Sequence, residues 1–262
     1  MVQRNPRGRR LVARGLWSGA EVVVTLGVVL LLLVVHQLWW TNRQARADAR
    51  HKVQSLEREW GRAGGADAGV PSVPSDEGAD TDTDTDTDTD AAGEGGGAPA
   101  GGARTAAAAA PRWDQAYAVL RIPRLGLTAP VAQGISKSGV LDKGYVGHYP
   151  RTAQPGGAGN FAVAGHRNTH GEPFRYINRL RRGDRITVET RQRVYTYVVD
   201  KTLAQTAARD SGVIAAVPRS NLKPAFGYSE PGSYVTLTTC TPEFTSRYRL
   251  VVWGKLAGVQ ER

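Results

Sequence analysis

Residues 22–35 read VVVTLGVVLLLLVV, an apolar run that no polar face interrupts. With its flanks, from 16 to 40, the run approaches the ~20 residues a helix needs to cross a bilayer. Trp17 at one end and Trp39 with Trp40 at the other stand where interfacial aromatics are expected. The run leads into HQLWWTNRQ rather than a small-residue cleavage site, so the pattern predicts an uncleaved transmembrane helix over 16–40 behind a basic tail over 1–15. Residues 41–60, rich in Arg, Ala, Gln and Glu, are expected to continue as a short helix. From 61 to 110 Gly, Ala, Asp, Thr and Pro dominate, and no cluster of large apolar residues offsets the entropy of ordering the chain. The tract TDTDTDTDTD, 81–90, repels itself into an extended form and lacks the turn glycines of a rigid calcium loop. Residues 41–110 are therefore expected to form a stalk.

After Pro111 the pattern changes to short β-branched or aromatic runs separated by Gly, Pro and Asn. Candidate strands cover 117–122, 127–131, 160–164, 185–189, 194–202, 234–239 and 248–256. Such short, closely spaced strands argue for a closed or sandwich-like β fold. A short helix is expected over 173–180, where Phe174, Ile177 and Leu180 recur at helical spacing. A stretch of about 150 residues suffices for one domain with its own core.

The net charge of +10 is unevenly spread: 22 of the 34 Lys and Arg but only 10 of the 24 Asp and Glu lie in 112–262. Nucleic acid is one partner for a basic domain, but the chain carries no helix-turn-helix, zinc-finger or RNA-recognition signature, and a membrane anchor argues against it. An anionic surface, lipid headgroups or an acidic wall polymer, fits better. Cys240 is the only cysteine, so no intramolecular disulfide forms and no Cys-rich zinc site exists. Asp142, Asp184 and Asp210 are scattered along the sequence, and neither a metal site nor an obligatory cofactor is expected.

FAVAGHR puts His166 just past an apolar strand, and YVTLTTC puts Cys240 at the end of another. A third strand, RYRLVVWGKL, presents Arg247 and Arg249 on one face. Such a trio suits acyl transfer from a peptide. A thiolate attacks, an imidazolium lowers thiol pKa and protonates the leaving amine, and a guanidinium stabilises the oxyanion. Of the five histidines, His36 lies in the apolar run and His51 in the stalk, which leaves His148, His166 and His170; His148 and His170 are expected on Gly- and Pro-rich loops.

TLTTC with a downstream Arg, and AGH at 164–166, resemble the signatures of the sortase family. The stretch 113–258 is similar to that family's eight-stranded β-barrel in order and spacing. CTPEFTSRYRLVVWG and GHYP, 147–150, are most like class E members from high-GC Gram-positive bacteria. The resemblance implies a mainly β catalytic domain over 111–262, with Cys240 as nucleophile, His166 as acid and Arg249, immediately before the apolar core of its strand, as the third member; Arg247 is the alternative. It implies Tyr149 and Thr239 as substrate-binding residues, and cleavage of a Leu-Ala-X-Thr-Gly sorting motif between Thr and Gly. The expected partners are surface proteins with a C-terminal sorting signal, a lipid II or peptidoglycan amine acceptor, and the membrane. Arg4, Arg7, Arg9, Arg10 and Arg14 before the span favour a cytoplasmic N-terminus and an extracellular catalytic domain. Two other readings use the same residues. One is another cell-wall cysteine hydrolase or an L,D-transpeptidase, although the Ser-X-Gly-Cys context of the latter is missing. The other is a non-catalytic envelope protein that binds anionic polymer.

Overall fold

The computed structural model describes residues 6–66 and 111–262. The Thr-Asp repeat and the rest of 67–110 lie outside the described residues. The first element is a single helix, α1 (Pro6–Ala66). Residues 19–35 form one apolar stretch, exposed all round and by length and composition able to cross a membrane. Beyond Trp40 the helix becomes one-sided. Ala45, Ala49, Val53, Leu56 and Trp60 are buried, and their spacing of three or four residues is the stripe of an amphipathic helix.

The strands are β1 (Ala116–Ile122), β2 (Leu127–Gln133), β3 (Val146–His148), β4 (Gly159–Ala164), β5 (Arg185–Glu189), β6 (Arg193–Ala207), β7 (Ser233–Thr241) and β8 (Tyr248–Glu261). They close into a barrel in the order β1-β2-β3-β4-β7-β8-β6-β5, which removes open edges. The β2–β3 and β4–β7 pairs are parallel and the others antiparallel. Alternation places Leu120 and Ile122 of β1, Phe161 and Val163 of β4, Val235 and Leu237 of β7, and Leu250 and Val252 of β8 in one interior cluster. A second cluster lies outside the barrel, where Val53, Leu56 and Trp60 of α1 cover Val119, Ala132 and Val140. This explains why β1 is buried on both faces. The segment after Trp40, read from sequence as the start of the stalk, is thus packed on the barrel as far as Trp60.

Three further expectations are corrected. Residues 173–180 hold only a 3-10 turn at Ile177–Arg179, because burying Phe174, Ile177 and Leu180 together needs a three-residue spacing that one tight turn supplies. The segment at Val146–His148 is a strand that the sequence pattern had not marked. His148 consequently sits in the barrel wall, fully buried, rather than on a loop.

Candidate active site

The register of the sheet builds the site. Cys240 and Arg249 are direct partners across β7 and β8, and antiparallel partners point to the same face with Cβ atoms ~4.5–5.5 Å apart. In the parallel pair Ala164, the last residue of β4, faces Thr238 of β7, so His166, two residues past that strand, and Cys240, two residues along β7, leave the pair on the same side. Cys240, His166 and Arg249 line one cavity of about 1040 Å³ together with Tyr149 and Thr239. Five residues separated by up to a hundred positions in sequence are brought together by the strand order alone.

The turn after β4 is tightly specified. A Cβ on Gly165 would stand 2.8 Å from the Phe174 ring, so only glycine lets the chain pass between that ring and β7. Thr239 donates its hydroxyl to Gly165 O at 2.8 Å and is buried, which locks the strand that carries Cys240 to the residue before His166. The Thr238 hydroxyl donates to Val163 O at 3.2 Å and accepts from Tyr149 Oη at 3.0 Å, which fixes the tyrosine ring at the cavity wall.

His166 Nε2 lies 2.8 Å from Asp142 Oδ1. A carboxylate only accepts, so Nε2 carries the proton. Asp142 comes from the 3-10 turn Leu141–Lys143, and the same oxygen is 3.6 Å from His170 Nδ1. Asp142 is therefore part of the site, whereas Asp184 caps the Arg181 amide and Asp210 binds Thr206 and Ser220. The ligand-type atoms of Asp142, His166 and His170 lie within 4.8 Å of one another, the one set among the described residues suited to a divalent cation. The set serves equally to orient an imidazole.

Arg249 Nη1 donates to Ser246 O at 2.8 Å and Tyr248 O at 3.0 Å, and among the described residues no carboxylate pairs with it. Its charge is free for a substrate. Arg247 precedes β8, and its guanidinium stacks on the Tyr248 ring at 5.3 Å instead of lining the cavity. Arg167, which sequence reasoning passed over, is buried and donates to Cys240 O at 3.2 Å and to Thr241 Oγ1 at 2.9 Å, fixing the backbone at Cys240. Its only signal in the sequence is its place next to His166. Asp142, 24 residues away from His166, leaves no local signal at all.

His148 is built differently. Its Nε2 lies 3.1 Å from Ala153 O and 2.9 Å from Thr152 Oγ1, and its Nδ1 lies 2.8 Å from Tyr117 Oη and 2.9 Å from Gln133 Oε1. Burial pushes its pKa down to about 4, only partly offset by the Ala153 carbonyl. A neutral, fully bonded imidazole is a structural member of the barrel wall.

Residues 120–257 match the family model described as the sortase domain. The chain is 40% identical to sortase SrtE1 of Streptomyces coelicolor over 268 residues, covering 100% of this chain and 62% of that protein, so it spans less than two thirds of this relative's length. A crystal structure of sortase E1 from Streptomyces coelicolor with tripeptide in the active site superposes with a TM-score of 0.54 at 49% identity, over 58% of this chain and 94% of that one. Sortase E from Streptomyces avermitilis gives 0.51 at 40% identity, over 57% and 93%. With the match covering more than half of the chain, and with an eight-stranded closed barrel that gathers cysteine, histidine and arginine in one cavity, the chain belongs to the sortase family.

Proposed function

We propose that this chain is a membrane-anchored transpeptidase that cuts a sorting motif, Leu-Ala-X-Thr-Gly, between Thr and Gly and passes the acyl fragment to a cell-wall precursor amine. The observation that carries the reading is the cross-strand pair of Cys240 and Arg249 beside His166 in one cavity. The Cys240 thiolate attacks the threonine carbonyl. The oxyanion of the tetrahedral intermediate is met by the Arg249 guanidinium, whose fork of donors needs no proton transfer. The C–N bond breaks as His166 gives a proton to the leaving glycine amine, which leaves a thioester on Cys240. An incoming amine attacks that thioester, His166 takes its proton, and the Cys240 thiolate is restored.

Asp142 supports this role for His166 by holding Nε2–H, which points the other ring nitrogen away from the carboxylate. Tyr149 is the proposed wall of the subsite for the small alanine of the motif. Thr239, with its hydroxyl committed to Gly165, contributes to substrate binding through its position rather than through that hydroxyl. The apolar stretch of α1 is the proposed single-pass anchor, with the basic N-terminal tail in the cytoplasm and the barrel outside. The test is product analysis with a Leu-Ala-X-Thr-Gly peptide and an amine. Amide product that disappears after Cys240 alkylation supports the reading, whereas peptide bound but never cleaved supports a polymer-binding protein.

A further inference from the structure

The loop that carries His166 and His170 ends in an unusual backbone. His170, Gly171 and Glu172 have φ of 51°, 82° and 53°, three successive residues in the left-handed region, two of them not glycine. Such conformations are disfavoured for non-glycine residues and persist only where the surroundings over-determine them. Here the surroundings are α1, more than a hundred residues away in sequence. Asn42 Oδ1 accepts from the Gly171 amide at 3.2 Å, and its Nδ2 donates to Glu172 Oε1 at 3.0 Å. Arg46 Nε donates to Gly171 O at 3.2 Å, and its Nη2 meets Glu172 Oε2 at 3.1 Å. The Glu172 side chain is only 5% exposed, and two of its three side-chain donors, Asn42 and Arg46, come from the helix; the third is Arg175. Both backbone hydrogen-bonding groups of Gly171 are bound by the same two residues.

Asn42 and Thr41 also line the catalytic cavity itself. They follow Trp40 directly, so with the apolar stretch ending at Val35 and ~1.5 Å of rise per residue the cavity wall begins roughly 9 Å beyond it. The helix is anchored on its far side by Val53, Leu56 and Trp60 against the barrel. Clamp and packing together tie the histidine loop to the membrane helix.

We propose that Asn42 and Arg46 are positioning residues for the active site: the first turns of α1 beyond the membrane run form one wall of the cavity and hold the His166–His170 loop in its strained, productive shape. The consequence for turnover rests on the transpeptidase reading, but the consequence for loop order does not. Loss of the clamp releases Gly171 and Glu172 toward ordinary backbone conformations, and His166 moves with them relative to Cys240.

The full chain in lipid nanodiscs is the material for the test, with Asn42→Ala/Arg46→Ala, Arg46→Lys and, as a control on the same helix, Arg58→Ala, whose side chain, among the described residues, bonds only its own helix at Gln54 O. Hydrogen exchange of peptides covering 165–173 is expected to speed up in the double variant, with β7 and β8 unchanged. Turnover of the sorting peptide is expected to fall ~10- to 100-fold through kcat, with KM nearly constant, the scale expected for a misplacement of about 1 Å. Arg46→Lys keeps the charge beside Glu172 but loses the Nε–H to Gly171 O, so it is expected to recover part of both. Wild-type exchange in the double variant overturns the clamp. So does faster exchange with unchanged kcat, since the loop then needs no helix to work. If the wild-type chain fails to cleave peptide at all, the functional reading falls, and the exchange result still decides whether α1 orders the loop.

Discussion

Acidification tests how the barrel is built around His148. The imidazole is buried among Tyr117, Phe161, Thr152 and the Ala153 carbonyl, and among the described residues no carboxylate bonds it. Its pKa falls from the ordinary 6.5 to about 4 because burial penalises the charged ring. The unfolded chain therefore binds a proton that the folded chain refuses between those two values. Stability is fully present above the unfolded pKa, near 6.5, and is lost as the pH falls towards about 4. At ~1.4 kcal/mol per pKa unit the loss approaches ~3 kcal/mol, a sizeable share of the ~5–15 kcal/mol that stabilises a domain. Chemical denaturation of the full chain in detergent micelles, followed by near-UV circular dichroism at several pH values, measures it. The matched variant is His148→Gln, which keeps hydrogen-bonding capacity but does not titrate. It should be less stable at neutral pH by ~1–3 kcal/mol, since Tyr117 and Ala153 are left imperfectly paired. Its stability should also fall less steeply on acidification, and the other four histidines cancel in the comparison. A His148→Gln protein that loses stability as steeply as the wild type refutes the reasoning.

Arg249→Ala should lower kcat ~10²- to 10³-fold and Arg249→Lys should remain poor, while Arg247→Ala stays close to wild type in steady-state assays. Gly165→Ala should lower the melting temperature and turnover together, because the added methyl meets the Phe174 ring at 2.8 Å; adding Phe174→Leu should recover part of the loss. Leu56→Ala removes a buried side chain from the contact between α1 and the barrel and should cost ~2–5 kcal/mol by denaturation, if the helix is as integral as its packing indicates.

How much of the molecule was legible in the sequence depends on how local each signal is. The ends of β4 and β7 are marked by apolar runs that stop at His166 and Cys240, and period-two alternation separates Arg249 from its strand core, so the residues the cavity gathers were readable at each strand end. The strand β3 was not, because Val146, Gly147 and His148 are too few for a period to show, and their pairing with β2 and β4 is long-range. The helical spacing of Phe174, Ile177 and Leu180 was real, but a 3-10 turn satisfies the same three positions. Asp142 looked like one scattered acid among several, since only the fold brings it to His166. The largest miss concerns α1: residues 41–60 read as a helix at the start of the stalk, while their stripe of Ala45, Ala49, Val53, Leu56 and Trp60 is a buried face whose partner, the outside of β1, lies beyond the whole linker.

Intact-protein mass spectrometry of a rapidly quenched reaction shows whether Cys240 carries an acyl intermediate in this cavity. Wild-type chain mixed with a Leu-Ala-X-Thr-Gly peptide without amine should show one added Leu-Ala-X-Thr fragment, mapped to Cys240 by digestion and discharged by added amine. Cys240→Ala should show none. Cleavage of the peptide by the Cys240→Ala protein, or turnover by the wild type with no thiol adduct at any quench time, contradicts the account.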